Sequence, residues 1–178
     1  MKAIASDGMT STDPPLIVRR TTPADAAGIV SVWAAIVAEK TYSAVDRPFT
    51  VEGERAYLQS LSEQESVFVG ETMDGRIVGF QTLDRWTKLF HSMDHVGQLG
   101  TFVLDAWRGR GLGRQLALQT LAFARSAGYE KLVVFVRAGN TGAQRFYAAS
   151  GFSPCGRLVR QVKIADEYDD EIVMEMFL

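Results

Sequence analysis

The sequence contains few of the residues from which disulfides and metal sites are built. Its 178 residues include one cysteine, Cys155, and two histidines. A single cysteine forms no disulfide within the chain, and three such residues make no metal-ligand spacing, so we expect no bound metal. Cys155 has no potential catalytic partner beside it in the sequence, and we interpret it as structural.

Long hydrophobic runs and a strong charge of one sign are also absent. No segment reaches the ~18 apolar residues of a membrane span, and residues 1–15 have no signal-peptide core, so we expect a cytoplasmic protein without a membrane partner. The chain has 19 basic and 21 acidic residues, a net charge of −2. Because a nucleic-acid surface normally requires a basic excess, we expect no nucleic-acid partner.

The apolar pattern predicts a disordered lead-in over residues 1–15 and one domain of mixed strands and helices over 16–178. The expected strands cover residues 16–20, 67–71, 76–83, 95–104, 131–137, 152–164 and 168–177. The expected helices cover residues 22–39, 50–61, 112–127 and 140–150. Asp74-Gly75 predicts a hairpin turn between two antiparallel strands. The strand–helix–strand unit around helix 112–127 predicts one parallel crossover.

A glycine-rich run lies between the strand ending at Leu104 and the helix that follows it. It reads Arg108-Gly109-Arg110-Gly111-Leu112-Gly113. Glycines let the backbone approach a ligand closely, and the first turn of a helix offers unpaired N–H groups, so the run predicts a site for phosphate or pyrophosphate. The next residues, Arg114-Gln115, exclude a Walker loop, and the alternating glycines do not fit the Rossmann spacing.

The run resembles the Arg/Gln-x-x-Gly-x-Gly/Ala signature of the GCN5-related N-acetyltransferase (GNAT) family, with Arg108, Gly111 and Gly113 at the fixed positions. Residues 140–147, Asn-Thr-Gly-Ala-Gln-Arg-Phe-Tyr, and the following Gly151-Phe152 are similar to further elements of that family. The resemblance covers roughly residues 16–178. It implies the mixed α/β acyl-CoA N-acyltransferase fold: a mostly antiparallel sheet with one parallel crossover and helices on both faces.

The resemblance also implies the reaction, which is transfer of an acetyl group from acetyl-CoA to a primary amine by direct attack. The expected acceptor is an amino acid, an antibiotic-like amine or a protein N-terminus, and a homodimer is a family expectation. In the family, the end of the strand, the glycine turn and the later helix hold the coenzyme. The residues expected to contact it are Phe102, Val103, Leu104, Arg108, Gly109, Arg110, Gly111, Leu112, Gly113, Arg114, Asn140 and Tyr147.

Asn140 and Tyr147 lie two helical turns apart, on one face of their predicted helix. From the pattern alone, Asn140 is a helix cap worth ~1 kcal/mol, and Tyr147 packs beside Phe146 against the sheet. The resemblance implies further roles: Asn140 contacts the coenzyme, and the Tyr147 hydroxyl is the general acid that protonates the departing thiolate. Arg110 and Arg114 are open to a second interpretation as solvated charges.

The general base is left open by the sequence. An amine is mostly ammonium at pH 7 and must lose a proton before it attacks a thioester. Many relatives place a glutamate on the strand before the signature, where this chain has Gln98, which cannot act as a base. The candidates are His95, Asp84, Asp94, Glu39 and a chain of water molecules.

Two rival functions and the acceptor site also remain open. The absence of a carboxylate at Gln98 favours a catalytically idle acyl-CoA-binding module, whereas the glycine spacing disfavours a nucleotide-binding enzyme.

Acceptor recognition is expected in the loops over residues 40–50, 84–94 and 164–169. The candidate side chains there are Tyr42, Asp46, Arg47, Trp86 and Tyr168.

Overall fold

The computed structural model describes residues 16–178, and the expected lead-in over residues 1–15 lies outside the described residues. The strands are β1 (Leu16–Arg20), β2 (Ser66–Thr72), β3 (Ile77–Arg85), β4 (Val96–Val103), β5 (Lys131–Arg137), β6 (Ser153–Ile164) and β7 (Glu167–Phe177). They form one sheet in the order β1-β2-β3-β4-β5-β7-β6. Only β4 and β5 are parallel to each other, which confirms the expected crossover within a mostly antiparallel sheet.

The four α-helices within residues 16–178 begin and end within a few residues of the predicted limits. They are α1 (Ala26–Glu39), α2 (Val51–Ser60), α3 (Leu112–Ser126) and α4 (Thr141–Ala149). Thr22 caps a 3-10 turn that leads into α1, and its backbone N–H donates in return to the Asp25 carboxylate at 2.7 Å. Gly128 follows the C-terminus of α3 and has a φ of 85°. The residue after a helix often adopts a positive φ, and glycine does so without strain.

The helices cover both faces of the sheet, as expected. Helices α1 and α2 pack on one face through Ile29, Trp33 and Leu58, against the phenylalanine and valine side chains of β2 and β3. Helices α3 and α4 pack on the other face through a separate set of apolar side chains, among them Leu116 and Tyr147. The alternation of side chains along each strand divides the core into these two layers.

Strands β4 and β5 pair over only three residues each, Val96–Gln98 with Lys131–Val133. Beyond that point β4 continues against β3 as far as Val103, and β5 continues against β7 as far as Arg137. The two parallel strands therefore separate, and an opening lies in the middle of the sheet. Backbone groups along this edge of β4 must find partners other than β5.

Substitution of Leu116 and Leu118, which lie on opposite sides of α3, tests the assignment of the buried face of this helix. Leu116 is fully buried and Leu118 is 59% exposed. We expect Leu116→Ala to lower the free energy of unfolding by about 2–5 kcal/mol, because it leaves a cavity in the core. Leu118→Ala should change it by less than about 0.5 kcal/mol. Urea denaturation followed by circular dichroism measures both, and equal losses would contradict the assigned face.

Candidate active site

A cavity of about 790 Å³ lies at the opening between β4 and β5. Its walls come from the end of β4, the glycine turn, the start of α4 and the loop after α1. Nine of the predicted site residues line it: Phe102, Val103, Arg108, Gly109, Gly111, Gly113, Arg114, Asn140 and Tyr147. The tertiary structure therefore brings two separate sequence motifs to one cavity, although their roles there remain predictions.

Three of the predicted contact residues do not line the cavity. The Leu104 N–H donates to the Val78 carbonyl at 3.0 Å, so it continues the pairing with β3 and is not available to a ligand. Leu112 is fully buried in the core beneath α3. The Arg110 guanidinium lies 5.7 Å from the centre of the Trp107 ring. The predicted contacts of these three residues with the coenzyme stay predictions, and the position of each side chain is set by the neighbours named above.

The three glycines of the turn are needed for different reasons. Gly109 and Gly111 have φ angles of 71° and 83°, which side chains with a Cβ adopt only with strain. A Cβ on either would meet no atom within 4 Å, so both open onto free space. Gly113 instead allows close helix packing, since its Cβ would lie 3.2 Å from the Phe146 ring.

The Arg108 side chain points away from the turn and holds three elements together. Its Nη2 atom lies 2.8 Å from both carboxylate oxygens of Glu39 at the end of α1. Its Nε donates to the Val103 carbonyl at 2.9 Å, and its guanidinium lies over the Tyr42 ring. Its charge is therefore paired with Glu39, and the expected support for a phosphate from this side chain stays a prediction.

Tyr147 is buried, and its hydroxyl points into the cavity towards β4. The hydroxyl donates to Thr101 Oγ1 at 2.8 Å, and the same oxygen accepts from Gln81 Nε2 at 2.7 Å. Burial raises the pKa of Tyr147 to about 12, although hydrogen bonds from Thr101 act in the opposite direction. The phenol is therefore neutral at physiological pH and can donate a proton.

Asn140 caps α4 and also contacts the loop after α1. Its Oδ1 accepts from the Ala143 N–H at 3.0 Å, which confirms the cap, and its Nδ2 donates to the Tyr42 carbonyl at 3.5 Å. Arg137 holds the same loop: it donates to the Lys40 carbonyl at 2.8 Å and pairs with Asp169 at 2.8 Å. The loop after α1, the end of β5 and the start of β7 thus meet at one edge of the cavity.

Of the five acceptor-site candidates, only Tyr42 lines the cavity. Trp86 stacks on Phe135 of β5 with a ring separation of 5.8 Å, on the sheet beside the cavity. The Asp46 and Arg47 side chains are largely exposed, and Tyr168 packs under Arg160 at 4.0 Å. The structure therefore does not bring these candidates together into one binding pocket.

Several candidate bases already have charged partners. Arg108 holds Glu39, and Arg85 pairs with Asp94 and lowers its pKa. His95 is exposed in the loop before β4, three residues from Gln98. Asp84 differs from the other acidic candidates, because its hydrogen-bond donor is the neutral hydroxyl of Tyr57.

Thr101 is a cavity residue that the sequence analysis missed. It lies within the apolar stretch that ends β4, and its hydroxyl connects Tyr147 to Gln81. Its only signal in the sequence is a polar residue within an apolar strand.

Across residues 16–178, no group of His, Cys, Asp and Glu side chains could hold a metal ion, and no helix is long and apolar enough to cross a membrane.

The sheet with its diverging parallel strands and the cavity at their opening define an N-acyltransferase fold. Many solved structures share it, and two of them serve as examples. A GCN5-related N-acetyltransferase from Kribbella flavida has a TM-score of 0.80, with 25% identity over 92% of this chain and 98% of that one. A phosphinothricin acetyltransferase from Sinorhizobium meliloti, in complex with acetyl-CoA, has a TM-score of 0.85, with 13% identity over 92% and 88%.

Sequence comparisons give the family. The model of the Acetyltransferase (GNAT) family matches residues 32–152, about two thirds of the chain. An aminoglycoside N(6')-acetyltransferase from Stenotrophomonas maltophilia is 31% identical over 80% of this chain and 89% of its own. An L-methionine sulfoximine/L-methionine sulfone acetyltransferase from Pseudomonas aeruginosa is 24% identical over 76% and 78%. The chain belongs to the GNAT family and is an acyl-CoA-dependent N-acetyltransferase.

Substitution of Thr101 tests the hydrogen-bond network under the cavity. Thr101→Val keeps the shape but leaves the buried groups of Tyr147 and Gln81 without their shared partner. We expect a loss of about 1–3 kcal/mol in the free energy of unfolding. Thr101→Ser keeps the hydroxyl and should lose less. Urea denaturation compares the two variants, and an equal loss would show that the methyl group, not the hydroxyl, stabilises the site.

Proposed function

We propose that this protein transfers the acetyl group of acetyl-CoA to a primary amine of a small molecule, by direct attack of the amine on the thioester. The observation that carries the proposal is a single cavity that joins the glycine turn at the start of α3 to the buried hydroxyl of Tyr147. The two ends of the cavity suit the two ends of the donor: N–H groups suit its pyrophosphate, and a neutral hydroxyl suits its thioester.

The phosphate end of the cavity is formed mainly by the backbone. The amides of residues 108–113 lead into the 15-residue helix α3, whose N-terminus carries unpaired N–H groups and the positive end of the helix dipole. The Gly109 and Gly111 positions leave open space above the backbone, so a phosphate can approach it. Arg114 and Arg145 line the same cavity and add positive charge.

The middle of the donor would follow the free edge of β4. The Leu104 N–H bonds to β3, so by strand alternation the Val103 backbone faces the opening. There the Val103 carbonyl accepts from Arg108, while its N–H is directed towards the cavity. An amide of the pantetheine chain could pair with it as a short additional strand. Phe102 and Asn140 would complete this part of the site.

Tyr147 is the proposed general acid at the thioester end. Acetyl-CoA supplies an activated acyl group and a thiolate leaving group. The Tyr147 hydroxyl, which now donates to Thr101, would donate to the sulfur as negative charge develops there. Burial raises the pKa of Tyr147 to about 12, and burial of the coenzyme would raise the proton affinity of its thiolate in the same direction.

The names of the relatives and the position of Tyr42 support a small-molecule acceptor. Two relatives are named for the acetylation of an aminoglycoside and of methionine sulfoximine, and both compounds are small amines. Tyr42 lines the cavity beside the loop that Arg137 and Asn140 hold in place. We therefore propose that a small-molecule amine enters at this loop, with a protein N-terminus as the alternative acceptor.

Glycine substitutions at the two ends of α3 test the donor site. Gly111 and Gly128 both have positive φ, and neither has an atom within 4 Å of the added Cβ. Acetyl-CoA or coenzyme A at ~100 times its dissociation constant should raise the melting temperature by several degrees, whereas ATP and NAD should not. Gly111→Ala should weaken acetyl-CoA binding about tenfold or more, because its methyl group obstructs a charged hydrogen bond to phosphate.

Gly128→Ala is the matched control, since it carries the same backbone strain at the opposite end of the helix. It should lower stability similarly and leave the acetyl-CoA shift unchanged. An absent shift in the wild-type protein, or equal weakening by both substitutions, would refute the donor site.

Removal of the Tyr147 hydroxyl tests its role as the acid. We expect Tyr147→Phe to lower kcat by about 10²–10⁴ and to change the KM for acetyl-CoA little, because the hydroxyl acts on the developing charge. Tyr168→Phe removes a tyrosine hydroxyl that does not line the cavity and should leave kcat unchanged. Coenzyme A thiol release with aminoglycoside, methionine sulfoximine and alkylamine acceptors measures both, and an unchanged kcat for Tyr147→Phe would exclude the role.

A further inference from the structure

Two carboxyl groups lie between the sheet and α2, with neutral hydrogen-bond donors. Glu54 is 5% exposed and accepts a hydrogen bond from the Trp33 side chain. Asp84 is partly buried, and its Oδ1 accepts from the Tyr57 hydroxyl at 2.7 Å. A carboxylate held only by neutral donors retains its affinity for a proton, unlike one that is paired with an arginine.

Asp84 lies on β3, across β4 from the point where the two parallel strands separate, and it does not itself line the cavity. It is directly opposite Gln98 in the pairing of β3 with β4. Directly opposed side chains project from the same face, with Cβ atoms about 4.5–5.5 Å apart. Gln98 is also the last residue of β4 that pairs with β5, and it is exposed. Its amide cannot take up a proton, whereas the neighbouring carboxylate can.

The cavity opens towards the face of the sheet that carries Asp84. It contacts Thr101, which faces α4, and also Phe102, which packs against Trp33 of α1 at a ring separation of 4.2 Å. The opening therefore connects the two faces. Asp84 shares the face of Phe102, because it alternates in register with Phe80, the cross-strand partner of Phe102.

The positions of Tyr147 and Asp84 on opposite faces of the sheet indicate the direction from which the amine approaches the thioester. If the thioester sulfur lies beside Tyr147 on the α4 face, the amine reaches the carbonyl carbon from the opposite face. We propose that Asp84 is the general base that accepts the proton of the acceptor ammonium on that face, through water. The inference rests on the proposed function, and it assigns the role that the sequence left open.

The proton balance of the step is complete without another reactant. The ammonium nitrogen gives its first proton to Asp84, and its lone pair forms the C–N bond at the thioester carbonyl carbon. The C–S bond breaks with its electron pair on sulfur, which takes the proton of Tyr147. The amide nitrogen releases its second proton as Tyr147 and Asp84 return to their starting states. One proton is released to solvent for each acetyl group transferred.

The charges around Asp84 favour proton uptake. Burial raises the pKa of Asp84 above its ordinary value, the charge of Glu65 adds to the effect, and Tyr57 and Lys88 oppose it. The titratable and charged groups that face it are Glu54, Tyr57, Glu65, Lys88 and Tyr129. Transfer to an alkylamine should therefore decline with falling pH at a higher pH than an ordinary aspartate would give.

Two small nucleophiles test the assignment without knowledge of the natural acceptor. Methylamine is an ammonium ion at pH 7 and needs a base, whereas hydroxylamine is largely uncharged and needs none before it attacks. Coenzyme A thiol release is measured with the full chain at saturating acetyl-CoA and corrected for the rate without protein. Asp84→Asn should lower transfer to methylamine by about 100-fold or more and leave transfer to hydroxylamine near the wild-type rate.

Three variants serve as controls. Asp94→Asn removes a carboxylate that is paired with Arg85, and it should leave both rates unchanged. Adding Gln98→Glu to Asp84→Asn returns a carboxylate to the cross-strand position and should restore part of the methylamine rate. Tyr57→Phe removes a hydrogen bond that lowers the pKa of Asp84, so the acid limb of the methylamine profile should move to higher pH.

The outcomes separate this inference from the proposed function. Equal loss of both rates in Asp84→Asn, or no loss of either, would overturn the assignment of the base while acetyl transfer by the wild-type protein stands. Wild-type protein that binds acetyl-CoA but acetylates neither nucleophile would overturn the proposed function, and this inference with it.

Discussion

Three residue pairs are all that join β4 to β5, and the separation of these strands beyond Gln98 creates the space in which a donor can lie. A fully paired sheet would close that space and satisfy the backbone of β4 internally. The opening instead leaves the edge of β4 near Val103 directed at the cavity, and it connects the two helical layers that cover the sheet. The glycine turn, the α4 tyrosine and the α1 side chains contact one cavity because of this opening.

Ion pairs hold the loops around the opening at fixed distances. Arg108 connects the end of α1 to the end of β4 through Glu39 and the Val103 carbonyl. Arg137 connects the end of β5 to the loop after α1 and to Asp169. Both guanidinium groups are partly buried and paired with carboxylates, and a partly buried arginine that lost its partner would be strongly disfavoured. These contacts thus connect the elements that form the walls of the cavity.

The two faces of the sheet divide the proposed chemistry. On the α4 face, Tyr147 is a neutral donor with a raised pKa, connected through Thr101 to Gln81. On the α1 and α2 face, Asp84 is an acceptor held by Tyr57. Burial shifts both pKa values upwards, which keeps the phenol protonated and makes the carboxylate a stronger base. A thioester between them would have a proton donor at its sulfur and a proton acceptor on the side of attack.

The sequence by itself determined the local structure: the capped start of α1, the Asp-Gly hairpin, the crossover and the glycine turn all depend on residues close together in the chain. It also placed Tyr147 and Asn140 in one site, through their resemblance to a family motif. Only the tertiary structure showed that Leu104 faces β3, that Arg108 is paired with Glu39, and that Thr101 contacts Tyr147. Each of these contacts joins residues from different elements, and strand register and loop position, which no short pattern encodes, decide which partners meet.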